Sequence, residues 1–447
     1  MDSKYAITEE FLQGCRQQYE GDPLLRAMTN ALCKNAIETI ACVPGAGQST
    51  QFGFSIDIPT LPVTNQKKSG RCWLFAGLNL LRERVAAKCR LDDFELSQNY
   101  MAFWDKFEKI NYFLEAMIDL AGQPVEDRVL TYLLQTGIGD GGQWDMFAAL
   151  VEKYGVVPKA AMEETFQSSN TRNMNGQIDQ ALAGYAARLR RLHAQGAGRE
   201  ALEAEKAAML RQMYGFLCTC FGQPPRTFDF EYVDRDKHRH LVPGLTPQQF
   251  MAEYVGMDLA QYASLINAPT ADKPYHRTYT VDYLGNVVGA APIRYLNVEM
   301  DVLKQAIIRQ LTAGEIVWFG SDVGKFGDRE TGVWDDKAFD YEGAFGIPFD
   351  LTKEEALDYR ISAMNHAMAI TGVNLDNDGR PTKWKIQNSW SDEHGHKGYY
   401  VMSDSWFDRF TYQAVIRQDL LDETLRQQLQ QEPIHLHPWD PMGSLAD

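Results

Sequence analysis

Cysteine is scarce, at 7 in 447 residues. The number is odd and the spacing unpaired, which argues against a disulfide framework and for a reducing compartment. No apolar run approaches the roughly 18 residues that a membrane span requires. Positive charge is also in deficit: 44 Lys and Arg face 60 Asp and Glu, for a formal charge of −16. Phosphate contacts need clustered cations, so a general nucleic-acid binder is disfavoured. The first residues, Met1-Asp2-Ser3-Lys4-Tyr5-Ala6, lack a charged-then-apolar leader. The expectation is a cytoplasmic protein without membrane contact. Hydrophobic residues make up 45%, enough for a sizeable core.

The chain divides into five stretches. Residues 1–60 read as an N-terminal arm: helical patterning from Glu9 to Cys42, a break at Pro44-Gly45-Ala46-Gly47, then an alternating strand from Phe52 to Ile58. Residues 61–160 are helical, with Ser97 as a helix cap ahead of Tyr100, Phe103, Trp104 and Phe107. Residues 161–290 change character: Gln177 to Met213 is helical with a break at Gln195–Gly198, and Thr227 to Val233 is a strand. Residues 291–420 turn mainly to strands, at Ile316–Gly320, His366–Val373, Lys383–Gln387 and, as the final one, Tyr399–Met402. Residues 421–447 start helical and end in an extended tail. That tail carries Trp439, Met442 and Leu445, too apolar for a frayed end, so it reads as docked.

Chemistry concentrates at Gln66-Lys67-Lys68-Ser69-Gly70-Arg71-Cys72-Trp73. A polar loop runs into an apolar pattern of helical period (Trp73, Leu74, Ala76, Gly77, Leu80, Leu81, Val85). Cys72 therefore stands at the start of a buried helix, where unpaired N–H groups favour a thiolate and lower the thiol pKa. The Gln66 carboxamide and the Cys72 N–H together make a candidate oxyanion hole. The competing reading is a small buried core thiol.

Three further motifs carry less. Gly137-Ile138-Gly139-Asp140-Gly141-Gly142 lacks the spacing of a phosphate loop, and reads as backbone approaching another surface closely. His238 and His240 form a His-x-His pair that we read as a solvated turn, without acidic or cysteine partners at ligand spacing. Asp376-Asn377-Asp378-Gly379 opens like a calcium loop, but Arg380 and the lack of a later Glu leave only a turn.

A nucleophilic sulfur needs a base, and the base needs an orienting group. His366 begins one strand and Asn388 ends the next. Antiparallel pairing through the Asp378-Gly379 turn brings them side by side, with Trp390 covering their hydrogen bond.

Gln66, Ser69-Gly70-Arg71-Cys72-Trp73, Asn365-His366-Ala367 and Asn388-Ser389-Trp390 resemble the papain-like cysteine peptidases in order and context. In that group His and Asn follow the Cys by about 130–150 residues; here the offsets are 294 and 316. An insertion of roughly 150 residues fits the bleomycin hydrolase and bacterial aminopeptidase C subgroup. So do Ser97-Gln98-Asn99-Tyr100, Gly141-Gly142-Gln143-Trp144-Asp145 and Pro438-Trp439-Asp440-Pro441-Met442-Gly443.

The resemblance implies an α+β, papain-like two-lobed fold: a helical lobe carrying the Cys, an antiparallel β-barrel lobe carrying His and Asn, a large mostly helical insertion at 161–290, and a C-terminal arm in the active-site cleft. It implies a cytosolic homohexamer acting on peptides with a free N-terminus, with no metal or organic cofactor required. Cys72, His366, Asn388 and Gln66 are the expected catalytic residues. Substrate contacts fall to Gly141, Gly142, Asn365, Trp390, Ala446 and Asp447, the last two holding the substrate amine. The alternatives are a cysteine endopeptidase with a surface-bound tail, and a binding module without activity. Whether bleomycin-like amides are substrates is left open, as is trimming of Asp447.

Overall fold

The computed structural model describes residues 3–46, 50–348 and 351–446; Asp447 lies outside them. The helix Cys72–Cys89 is the axis of the molecule. Trp73, Leu74, Phe75, Leu78, Leu81 and Val85 are all buried. The first ten residues of the helix are all buried, which requires neighbours on every side; Arg84, Ala87 and Lys88 near its end reach solvent. The helices Gln98–Asp119 and Trp144–Tyr154 pack on it, and so does the strand His366–Leu375. Ser97 caps the first of these helices, its hydroxyl accepting from the Tyr100 N–H at 3.0 Å.

The second layer is a twelve-stranded sheet. His366–Leu375 lies inside it, antiparallel both to Val317–Ser321 and to Pro381–Gln387. Alternation splits its side chains between two cores. Ala367 and Ala369 face the Cys72 helix, whereas Met368 and Ile370 join Trp384, Trp406 and Phe407 on the far side. A helix absent from the sequence reading, Met300–Thr312, closes that far side with Leu303, Ala306, Ile307 and Leu311.

The sheet departs from the expectation in three ways. It is not purely antiparallel: Tyr262–Ile266 with Tyr295–Asn297, Thr278–Val281 with Ile434–Leu436, and Val333–Trp334 with Tyr399–Ser403 are parallel pairs. Its pairing runs as an open path among the described residues rather than a closed barrel. Nor is Tyr399–Ser403 the final strand. Thr411–Arg417 follows directly from the helix Asp404–Phe410 and pairs with Val317–Ser321 and Tyr262–Ile266. With no loop residue between helix and strand, the change of period left no punctuation to read.

The region 161–290 carries the helices Arg172–Ala194 and Arg199–Phe221 and the hairpin Phe228–Val233 with Arg239–Leu245. Tyr262–Ile266 and Thr278–Val281, however, belong to the large sheet, so strand-forming sequence starts earlier than residue 291. In the N-terminal arm, helices span Glu9–Gly21, Pro23–Leu32 and Ile37–Ala41. The strand expected over Phe52–Ile58 shrinks to Ile56–Asp57, held to Val373 and Gly372. Among the described residues, no helix is long and apolar enough to cross a membrane.

Candidate active site

Cys72 is the first residue of its helix, as the pattern predicts. The loop ahead of it is fixed by charge. Arg71, itself buried, makes a two-pronged contact with Glu164 at 3.1 and 2.9 Å. The Gly70 N–H donates to the Asp140 carboxylate at 2.9 Å. A β-carbon on Gly70 would stand 2.8 Å from that of Asp140, so only glycine allows the approach.

Asp140 is an organising group that the sequence reading passed over as loop. Its carboxylate takes Lys106 at 2.8 Å, Asn175 at 2.8 Å and the Thr171 hydroxyl. Burial pushes its pKa up, but Lys106 and these donors outweigh it and hold the carboxyl well below the usual range. Its carbonyl accepts the Trp73 indole N–H at 2.7 Å. Lys106 and Lys109, both buried on the Gln98–Asp119 helix, also bond the carbonyls of Ile138, Gly139 and Gly141. The glycine loop is thus held backbone-first against the Cys72 helix. A β-carbon at Gly142 would strike the Trp73 ring at 2.6 Å.

Across the cleft, His366 is buried and its Nε2 lies 2.8 Å from Asn388 Oδ1. The same oxygen accepts the Ser389 N–H at 2.8 Å, which fixes it as an acceptor. Nε2 therefore carries the proton, and Nδ1 is left bare. Among the described residues, the buried Asn388 Nδ2 has no partner. Trp390 covers the imidazole, ring centroids 4.7 Å apart. The Ala367 N–H reaches Cys72 Sγ at 3.4 Å, so the sulfur sits against the residue adjoining His366.

Gln66 joins this group from the loop. Its Oε1 accepts Ser389 Oγ at 2.6 Å, and its Nε2 donates to the Ser69 carbonyl at 2.6 Å. Among the described residues, the second N–H of that amide has no acceptor. Asn365 behaves otherwise than expected: its side chain turns to Asp322 at 2.5 Å and to the Val323 N–H at 3.0 Å, bracing the neighbouring loop. It is committed before any substrate arrives.

The electrostatics reverse one expectation. A helix start predicts a lowered thiol pKa, yet burial pushes Cys72 from its ordinary 9.0 up to about 11. The N–H groups of Ala367, Trp73 and Cys72 oppose the rise without overcoming it, and Asp140 adds to it. Burial likewise pushes His366 from 6.5 down to about 4; Asn388 opposes this and Arg329 reinforces it. Burial thus acts against the charged form of each group taken by itself, and outweighs the partial charges at the helix start.

The tail runs into this cleft. Asp440 pairs with buried Lys273 at 3.0 Å. The Met442 carbonyl accepts the Tyr295 hydroxyl at 3.2 Å, and Ser444 Oγ donates to the Met364 carbonyl at 2.7 Å. The Gly142 N–H donates to the Leu445 carbonyl at 3.1 Å. A β-carbon on Gly141 would lie 2.1 Å from that carbonyl and 2.9 Å from the Ala446 Cα. Gly141, Gly142 and Ala446 therefore meet, as does Leu445 with Gly320 beside Ala367.

The His238 turn also differs from the expectation. Asp234 and Asp236 stand within ligand distance of His238, because the turn folds back on itself. Asp236 already pairs with Arg90 at 2.5 Å, and Asp234 with His240 at 2.9 Å. Solvated ion pairs account for the cluster.

The chain matches the Peptidase C1-like family over residues 6–443. It is 49% identical over 410 residues to aminopeptidase C of Lactobacillus delbrueckii subsp. lactis, covering 90% of this chain and 91% of that one. Aminopeptidase C of Streptococcus thermophilus is 45% identical over 99% of both chains. Bleomycin hydrolase of Rattus norvegicus is 39% identical over 98% of this chain and 99% of its own. The crystal structure of pepw from Lactobacillus rhamnosis superposes with a TM-score of 0.96 at 47% identity, covering 98% of this chain and 99% of that one.

Proposed function

The chain belongs to the Peptidase C1-like family, and from that premise we propose a cysteine aminopeptidase that removes N-terminal residues from peptides. The observation that carries the reading is the tail: Leu445 and Ala446 lie along Gly141 and Gly142 next to the buried thiol. On this reading the tail limits how far a substrate extends along that wall. Ala446 and Asp447 then hold its ammonium group, a charge-assisted contact that longer or acylated N-termini cannot make. Residues 61–160 and 291–420 carry the catalytic groups of the two lobes, the second lobe also taking in Tyr262–Ile266 and Thr278–Val281.

In the reaction, His366 Nδ1 takes the Cys72 proton and Sγ attacks the first peptide carbonyl. The Cys72 N–H and the free Gln66 amide N–H stabilise the oxyanion. Asn388 keeps the imidazole in the right tautomer and orientation throughout. Nδ1–H then passes its proton to the leaving amine, and a water activated by His366 releases the acyl group from sulfur. No step calls on a metal or organic cofactor.

We extend the reading to a cytoplasmic homohexamer. Its support is the set of large apolar side chains that the N-terminal helices leave exposed among the described residues, Phe11, Leu12, Tyr19 and Leu24. The deciding experiment replaces Cys72 with Ala and measures release of N-terminal residues from a peptide mixture by mass spectrometry. Release falls to background on this reading; a variant that still trims peptides overturns it. Rapid cleavage of N-acetylated peptides by the native chain favours an endopeptidase instead.

A further inference from the structure

The wall bearing Gly141, Gly142 and the tail takes the acyl side of a substrate. The leaving side therefore lies at the imidazole that protonates the departing amine, and so beside Trp390. On the Trp390 ring rests the guanidinium of Arg329, 4.8 Å from its centroid. The ring itself is 4.7 Å from His366. A cation is thus two contacts from the proton donor.

Three observations set Arg329 apart from an ordinary surface arginine. Its backbone is fixed, the carbonyl accepting the Tyr400 hydroxyl at 3.3 Å. Among the described residues no carboxylate pairs with its guanidinium. The two acids beside it make other contacts: Asp328 Oδ1 accepts the Glu330 N–H at 3.0 Å, and Glu330 lies 3.4 Å from His394. A planar fork of donors, pre-stacked and with only the Tyr400 hydroxyl as a side-chain partner among the described residues, is suited to a carboxylate.

We infer that Arg329 is a specificity-determining residue on the leaving side, binding the C-terminal carboxylate of a leaving fragment one or two residues long. The inference rests on the aminopeptidase reading and deepens it, naming di- and tripeptides with a free C-terminus as the favoured substrates. The span fits: a peptide advances roughly 3.5 Å per residue, so one or two residues bridge from the imidazole to the far edge of Trp390. Fragments much longer than that carry their carboxylate past the guanidinium.

The test compares each dipeptide and tripeptide with its C-terminal amide, using kcat/KM for N-terminal release. The native chain favours the free acid by about tenfold, the effect of one charge-assisted contact at an exposed site. In Arg329→Gln the acid-to-amide ratio falls towards one, chiefly through KM. Arg329→Lys keeps part of the ratio, having the charge without the fork. Two results overturn the inference: no preference for the acid in the native chain, or an unchanged ratio in Arg329→Gln. A native chain that releases no N-terminal residue from acid or amide defeats the aminopeptidase reading instead, and this inference with it.

Discussion

The two ends of the chain are both arms, and they are bound in opposite ways. The helices Glu9–Gly21 and Pro23–Leu32 bury no residue at all. Phe11 is 62% exposed and Leu24 57%, although both helices are well capped, by Thr8 and Asp22. The last segment, Pro441–Ala446, is shorter, yet it buries Pro441, Met442, Gly443 and Leu445. Local signals thus suffice to make a helix without giving it a place. The tail has little regular structure but is fixed by named partners: Lys273, Tyr295, Met364 and Gly142. An arm satisfied within its own chain serves that chain's cleft. An arm with exposed apolar side chains is where the homohexamer proposed above would seat a second copy.

The contrast is broken most severely at the tail. Deleting Gly443 to Asp447 leaves the cleft open. The expected outcome is a loss of aminopeptidase kcat/KM of about a hundredfold, the scale of a buried charge-assisted contact, with new cleavage inside N-acetylated peptides. Product mapping by mass spectrometry checks both halves. If only N-terminal residues are still released, the tail is an ornament.

Acid separates the ends by a second route, because the cleft holds the buried imidazole. His366 has its pKa depressed from 6.5 to about 4, so between those values the unfolded chain binds a proton that the folded chain refuses. Stability is therefore full above pH 6.5 and falls as the pH drops towards 4, by on the order of 3 kcal/mol from this group. Denaturant melts of the native chain and His366→Phe at pH 7 and pH 4.5 measure it; a difference that does not change with pH contradicts it.

The smallest effect on the folded chain belongs to the N-terminal arm. Phe11→Asp is expected to change intrinsic stability by no more than about 0.5 kcal/mol, as exposed positions do, while lowering the mass of the assembly in sedimentation. An unaltered mass removes the argument that this face seats another copy.

What the sequence made legible follows the range of each interaction. Cys72, His366 and Asn388 could be found because their chemistry is written in residue type, and a two-strand return through Asp376–Gly379 suffices to join the last two. The docked tail was readable from three apolar residues where a loose end carries few. Lys106 and Lys109 were not readable, lying on a helix noted for its aromatic face and bonded to backbone carbonyls about 30 positions on. Asp140 was hidden in the same way, among glycines. The thiol's direction of shift was misjudged for a related reason. A helix start is visible locally, but the burial that outweighs it is a property of the whole fold. Arg329 carries no motif, and only the fold stacks it on Trp390.

All seven cysteines are free thiols, and the wall facing the nucleophile is stapled by ammonium and carboxylate groups instead of sulfur bridges. A reductant strong enough to keep the Cys72 sulfur in working order therefore finds nothing structural to cut. Conversely, an oxidant that silences the sulfur leaves the staples in place, so the protein is built to lose and regain its chemistry without losing its shape.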